Sequence, residues 1–63
     1  MDKLKALREE RVLSQRELAR MANLAQGTVW RVENGFSEAH PQTIRKLSRV
    51  LGVESKELVK REE

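Results

Sequence analysis

Sixty-three residues make a single domain, 1–63, near the lower limit for a self-sufficient hydrophobic core. The chain has no cysteine, no tyrosine and one histidine, so it offers no disulfide framework, no thiolate metal site and a poor inventory for an enzyme. Its 13 basic and 10 acidic residues give a net charge of +3, and the excess lies in residues 11–49, where seven basic side chains face three acidic ones. A central positive field fits a polyanionic partner.

No apolar run approaches the roughly 20 residues that span a bilayer. The opening stretch MDKLKALREE has no signal-peptide core. A cytoplasmic chain with no membrane partner is expected. No cofactor and no metal are expected either. His40 precedes Pro41 without Cys or clustered acids, which suits a loop or capping role.

Leu4, Ala6 and Leu7 mark a first helix ending near Arg11. Ser14 opens a second. SQRE has the capping-box form, in which the Ser14 hydroxyl takes the N–H three residues on and Glu17 reaches back. Leu18, Ala19 and Ala22 form the inner face of this helix, and Arg16 and Arg20 the outer one. Asn23 ends it, because Asn tolerates the left-handed conformation. A third helix runs from about Ala25 to Asn34, stopped by Gly35. FSEAH reads as a loop. Pro41 suits the first turn of a fourth helix, where Ile44, Leu47, Val50 and Leu51 recur as an inward stripe closed by Gly52. Glu54 to Lys60 forms a short fifth helix using Leu58 and Val59. Nothing alternates with period two, so the class is all-α: a compact five-helix domain.

The third helix has two unlike sides. At about 100° per residue, Val29 and Val32 lie about 60° apart and define the buried side. Gly27, Trp30, Arg31 and Asn34 fall opposite, with Gln26 at the rim. Glu33 leans towards the buried side. An outward face of amide, glycine, tryptophan and arginine is not a routine solvated face. Gly27 costs about 1 kcal/mol against Ala in a helix, tolerable where another surface approaches the backbone closely.

SQRELARMANLAQGTVWRVENG resembles the helix-turn-helix of the phage-repressor-like Cro/C1 (Xre) family, over about residues 14–34. The pattern is carried by Gln15, Leu18, Ala19, Asn23, Leu24, Val29, Val32, Glu33 and Gly35. LKALREE looks like the family's helix 1 and HPQTIRKLSRVLGV like its helix 4, so the resemblance covers roughly residues 3–59. It implies a lambda-repressor-like fold. Three positions depart from the pattern: Val12 and Asn23 stand where Gly is usual, and Ala25 where Ser or Thr caps the recognition helix.

The resemblance also implies roles. Helix 3 enters the major groove of double-stranded DNA, and the base-reading positions fall on Gln26, Gly27 and Arg31. Arg31 suits guanine and Gln26 adenine, while Gly27 offers no side chain. Trp30 packs on a sugar or a thymine methyl, or else lies at the core edge or a subunit contact. Phosphate contacts are expected from Ser14 and Gln15 at the start of helix 2, from Thr28 and Asn34 beside the groove, and from the backbone around Phe36 and Ser37. Gln42 and Thr43 at the start of helix 4 complete them. The plainer reading of Ser14, Asn34 and Thr43 is capping and turning, and of Arg31 a surface ion pair. Arg8 and Glu33 are expected to form a structural ion pair, since a charge on the inner side needs a partner.

The function expected is a sequence-specific transcriptional regulator, a repressor, bound to DNA as a homodimer and without enzymatic activity. The rival is an antitoxin-type module whose main contact is another protein and whose DNA binding is secondary; a blander rival coats DNA without sequence preference. Operator, regulated genes and inducer are not encoded in these patterns. Leu58, Val59 and Trp30 are the spare apolar groups outside the core stripes, a small set for a stable seam. The free protein is therefore expected to sediment as a monomer at low micromolar concentration, with DNA assisting pairing; a stable dimer without DNA would contradict this.

Overall fold

The computed structural model describes residues 2–35 and 40–58. They form α1 (Asp2–Glu10), α2 (Gln15–Met21), α3 (Gln26–Glu33), α4 (Pro41–Leu51) and α5 (Ser55–Leu58), with no strand among the described residues. The class and element order follow the sequence reading. The differences are at the ends: α1 stops at Glu10, and α5 begins at Ser55. Residues 59 and 60 of the expected fifth helix, the FSEA part of the loop and Ser37 lie outside the described residues.

Every helix contributes to one aliphatic core. Leu4 comes from α1, Leu18 and Ala19 from α2, Val29 and Val32 from α3, Ile44, Leu47 and Leu51 from α4, and Leu58 from α5. Ala22 joins them at the C-terminal cap of α2. The pair α2 and α3 packs most extensively, and Ala19, 2% exposed, keeps that contact close. Leu7, Leu13, Leu24, Val50 and Val53 pack around the edge.

Two assignments need correction. Leu58 is 1% exposed and belongs to the core, so it is not a spare apolar group for a dimer seam. Val50 is only half-buried, and the inner face of α4 takes in Ser48 instead. The Ser48 hydroxyl donates to the Arg45 carbonyl (3.0 Å) and shares a hydrogen bond with the Ser55 hydroxyl (3.1 Å), which satisfies it and ties α4 to α5.

Each long helix is followed by one residue in the left-handed region: Val12 (φ 55°), Asn23 (φ 58°), Gly35 (φ 73°) and Gly52 (φ 72°). The first two sit in paired hydrogen bonds. Val12 N donates to the Glu9 carbonyl and Leu13 N to the Arg8 carbonyl; Asn23 N donates to the Arg20 carbonyl and Leu24 N to the Ala19 carbonyl. This is the Schellman arrangement, which satisfies carbonyls that a helix end would leave open. It reverses the chain within a few residues and lets short helices cross.

Val12 fits this geometry badly. A β-branched residue at positive φ is an outlier, and left-handed geometry costs a non-glycine residue about 1–2 kcal/mol. The side chain is 86% exposed, so it returns little packing. Glycine removes the strain but adds about 0.5–1 kcal/mol of unfolded-state entropy. Val12→Gly is therefore expected to stabilise the domain by up to about 1 kcal/mol, or several degrees in a thermal melt of a domain this small. A lowered melting temperature would contradict the strain argument.

Candidate nucleic-acid interface

The unlike sides of α3 are realised in the fold. Val29 and Val32 are buried, whereas Gln26, Gly27, Trp30 and Arg31 are exposed, and Asn34 follows as the exposed C-terminal cap. Thr28 is half-buried at the margin. Trp30 keeps 46% of its surface exposed, large for an indole in a small domain. Arg31 takes part in none of the ion pairs found among the described residues. A Cβ built on Gly27 meets nothing within 4 Å, so the chain itself does not demand glycine there. Ala25 stands at the N-cap without a side-chain hydrogen bond, and the first turn of α3 holds no acid. That end is left electropositive by the helix dipole.

A polar clasp sets the pose of this helix. Glu33 is 7% exposed and Arg8 8%. Arg8 Nε donates to Glu33 Oε2, and Arg8 Nη2 donates to Glu33 Oε1 at 3.2 Å. The remaining amine, Nη1, donates to the Leu13 carbonyl at 2.8 Å. Gln15 Nε2 donates to Glu33 Oε1 at 3.0 Å. One carboxylate thus gathers donors from α1 and α2, and one guanidinium also holds the turn between them. The hydrogen bond to Glu33 pushes the Arg8 pKa above its usual value, against the opposing effect of burial. Arg8 stays charged at every working pH.

The start of α2 is also committed. Ser14 accepts from Glu17 N (3.0 Å) and its own N–H donates to Glu17 Oε1 (2.9 Å), completing a capping box. The backbone N–H of Ser14 on the carboxylate, followed by the Ser14 hydroxyl, lowers the Glu17 pKa from its ordinary value. A carboxylate therefore already occupies this helix end. Gln15 is half-buried with one amide hydrogen on Glu33. The structure places Ser14 and Gln15 in the frame of the helix pair before any external contact.

The other expected site residues are dispersed. Asn34 Nδ2 donates to the Trp30 carbonyl at 2.8 Å, closing its own helix. Gln42, exposed, and Thr43, half-buried, begin α4. His40 is the N-cap residue of α4, and its carbonyl accepts from Ile44 N, but its side chain makes no capping bond. The capping role expected of it is thus played by the backbone alone. One further group comes together only in the fold: Arg16, Arg20, Asn23 and Gln26, with Ala19 and Leu24, line a shallow concavity between α2 and the start of α3. The signal was there in two arginines four residues apart on a helix whose acid serves its cap.

Two short helices joined by a left-handed turn, the second presenting a polar face rooted by two valines, define a helix-turn-helix. Comparison with protein families agrees: the family model described as Helix-turn-helix matches residues 4–58. The chain belongs to that family, of the Cro/C1 (Xre-like) type, a family of DNA-binding regulators. No curated protein and no solved structure matches the chain. Among the described residues no helix is long and apolar enough to cross a membrane.

The clasp yields a stability test. Removing either Arg8 or Glu33 strands its partner's charge in a buried place, which costs on the order of 3–5 kcal/mol. That rivals the whole stability of about 5 kcal/mol expected for so small a domain. Arg8→Met with Glu33→Leu is expected to be much milder than the two single losses combined. It is not neutral, because the Leu13 carbonyl and the Gln15 amide each lose a partner, about 1 kcal/mol apiece. Denaturant melts of the two single variants and the double decide it; additive losses would reject the buried pair.

Proposed function

We propose that this protein is a sequence-specific transcriptional regulator, a repressor, that acts in the cytoplasm as a homodimer on DNA. Its α3 lies in the major groove. The observation that carries this reading is the outer face of α3, where exposed Gln26, Gly27, Trp30 and Arg31 stand opposite buried Val29 and Val32. Arg31 has the fork geometry to take the two acceptors of a guanine, and Gln26 the donor and acceptor for an adenine. Gly27 lets the backbone come close, and Trp30 supplies an apolar surface for a thymine methyl or sugar. Thr28 and Asn34 at the margin of that face take phosphates, as do Gln42 and Thr43 at the start of α4, Ser14 and the second amide hydrogen of Gln15; the contact expected of Ser37 lies outside the described residues. One module buries too little surface for tight specific binding, so two copies on half-sites about one helical turn apart complete the reader.

Base contacts carry sequence information and phosphate contacts mostly do not. On a duplex selected from a random pool, Arg31→Ala is expected to cost about 1–3 kcal/mol and to relax preference at one or two base pairs per half-site. It should cost much less on scrambled DNA. Gln15→Ala should weaken both duplexes alike and leave the salt dependence nearly unchanged, since Gln15 is neutral. Fluorescence anisotropy on both duplexes at several salt concentrations reads these outcomes. Equal losses for Arg31→Ala would make it a phosphate or surface residue; a wild-type protein that ignores duplexes and copurifies with another protein would favour the antitoxin-type role.

A further inference from the structure

The concavity between α2 and α3 has a composition that the groove-reading face does not explain. Its walls are Arg16 and Arg20 from α2 and Gln26 from the first position of α3; Asn23 and Leu24 form its turn side, and buried Ala19 its floor. Every charged group lining it is a cation. Arg16 and Arg20 are four residues apart, hence on one side of the helix, and both are exposed. Like charges so placed repel each other, and neither joins an ion pair among the described residues. The acid of α2, Glu17, lies one turn from Arg20 and feels its charge, but it forms no ion pair with it among the described residues, its carboxylate being bonded to the backbone N–H of Ser14. The uncapped start of α3, with no acid in its first turn, adds positive potential from the side of Gln26.

We propose that this notch seats one phosphate of the DNA backbone, gripped by Arg16 and Arg20 together, at the edge of the groove that α3 enters. The proposal rests on the groove-reading role of α3. The major groove is about 12 Å wide and a helix with side chains fills about 10–12 Å of it, so whatever flanks the start of that helix faces a backbone wall. The notch shares Gln26 with the reading face, and a group seated in it is therefore continuous with a duplex on α3. Two guanidiniums converging on one phosphate relieve their mutual repulsion and fix the register of α3 along the groove.

The test uses Arg16→Gln and Arg20→Gln, singly and together, with wild-type and Arg31→Ala protein beside them. The double variant is expected to bind the selected and the scrambled duplex each about tenfold more weakly and to lower the slope of log affinity against log salt by about one unit. The slope falls by about one rather than two because both side chains serve one phosphate. Sequence preference is retained, in contrast to Arg31→Ala. A scan of duplexes carrying a single neutral methylphosphonate then locates the phosphate: one linkage weakens the wild type and leaves the double variant indifferent. Arg16→Lys with Arg20→Lys keeps the slope, which separates loss of charge from loss of fold. Wild-type affinity and slope in the double variant, or undiminished sensitivity at every linkage, overturns the inference while leaving the reader intact. The same holds if the double variant loses only its binding to polyglutamate, which would assign the notch to an acidic protein surface. A wild-type protein that binds no duplex overturns the groove-reading role and this inference with it.

Discussion

One buried carboxylate governs the pose of α3. The aliphatic core holds α3 against the domain, but apolar contact has no direction and tolerates rotation. Hydrogen bonds do not. Glu33 is tied through both oxygens to Arg8 of α1 and through one to Gln15 of α2, while Arg8 holds the Leu13 carbonyl in the turn between them. Three helices and a turn thus meet at one charge pair, near the last turn of α3. Slipping α3 by one residue would swing each side chain by about 100° and carry Arg31 off the outer face. The exposed side of α3, with Gln26, Gly27, Trp30 and Arg31, and the carboxylate that orients it thus belong to the same eight-residue helix.

The remaining architecture is economical in length. Helices of 4 to 11 residues are too short to persist alone in water, so their stability is tertiary. What the chain supplies locally are stops. Four left-handed residues end four helices within a residue or two and aim the next segment back at the core. The helix-turn-helix angle follows from one of them, Asn23, whose Schellman bonds leave Leu24 packed at the core edge and Ala19 free to let α2 and α3 close together.

Much of this was legible in the sequence where a local rule applied. The inner face of α2, the two valines of α3 and the inward lean of Glu33 all follow from helical period. The capping box follows from four letters. Arg8 as the partner of Glu33 came from the family resemblance, since 25 residues and two turns separate them. The bond from Gln15 to the same carboxylate was not legible, because it depends on how two helices cross. The burial of Leu58 is not legible in the sequence, because one leucine on a four-residue helix shows no period. Helical period puts Ser48 on the inner face of α4, four residues after Ile44, but its hydroxyl hides that from a search for apolar residues, and the Ser55 partner that satisfies it lies on another helix. Arg16 and Arg20 show in the sequence only as the outer face of α2, because a concavity is a property of two helices, never of one.

Gly27 is a residue that the fold does not require. The chain incurs a helix-propensity cost there of roughly 0.8–1.0 kcal/mol relative to alanine, yet the space around the missing Cβ is open. Most positions that touch a ligand are also bound to the scaffold, so altering one alters the other. Here they are uncoupled: a Cβ at 27 meets no neighbour, and a larger side chain projects from the exposed face of α3. Under the role proposed for α3, position 27 can change what the helix presents without any rebuilding of the core beneath it.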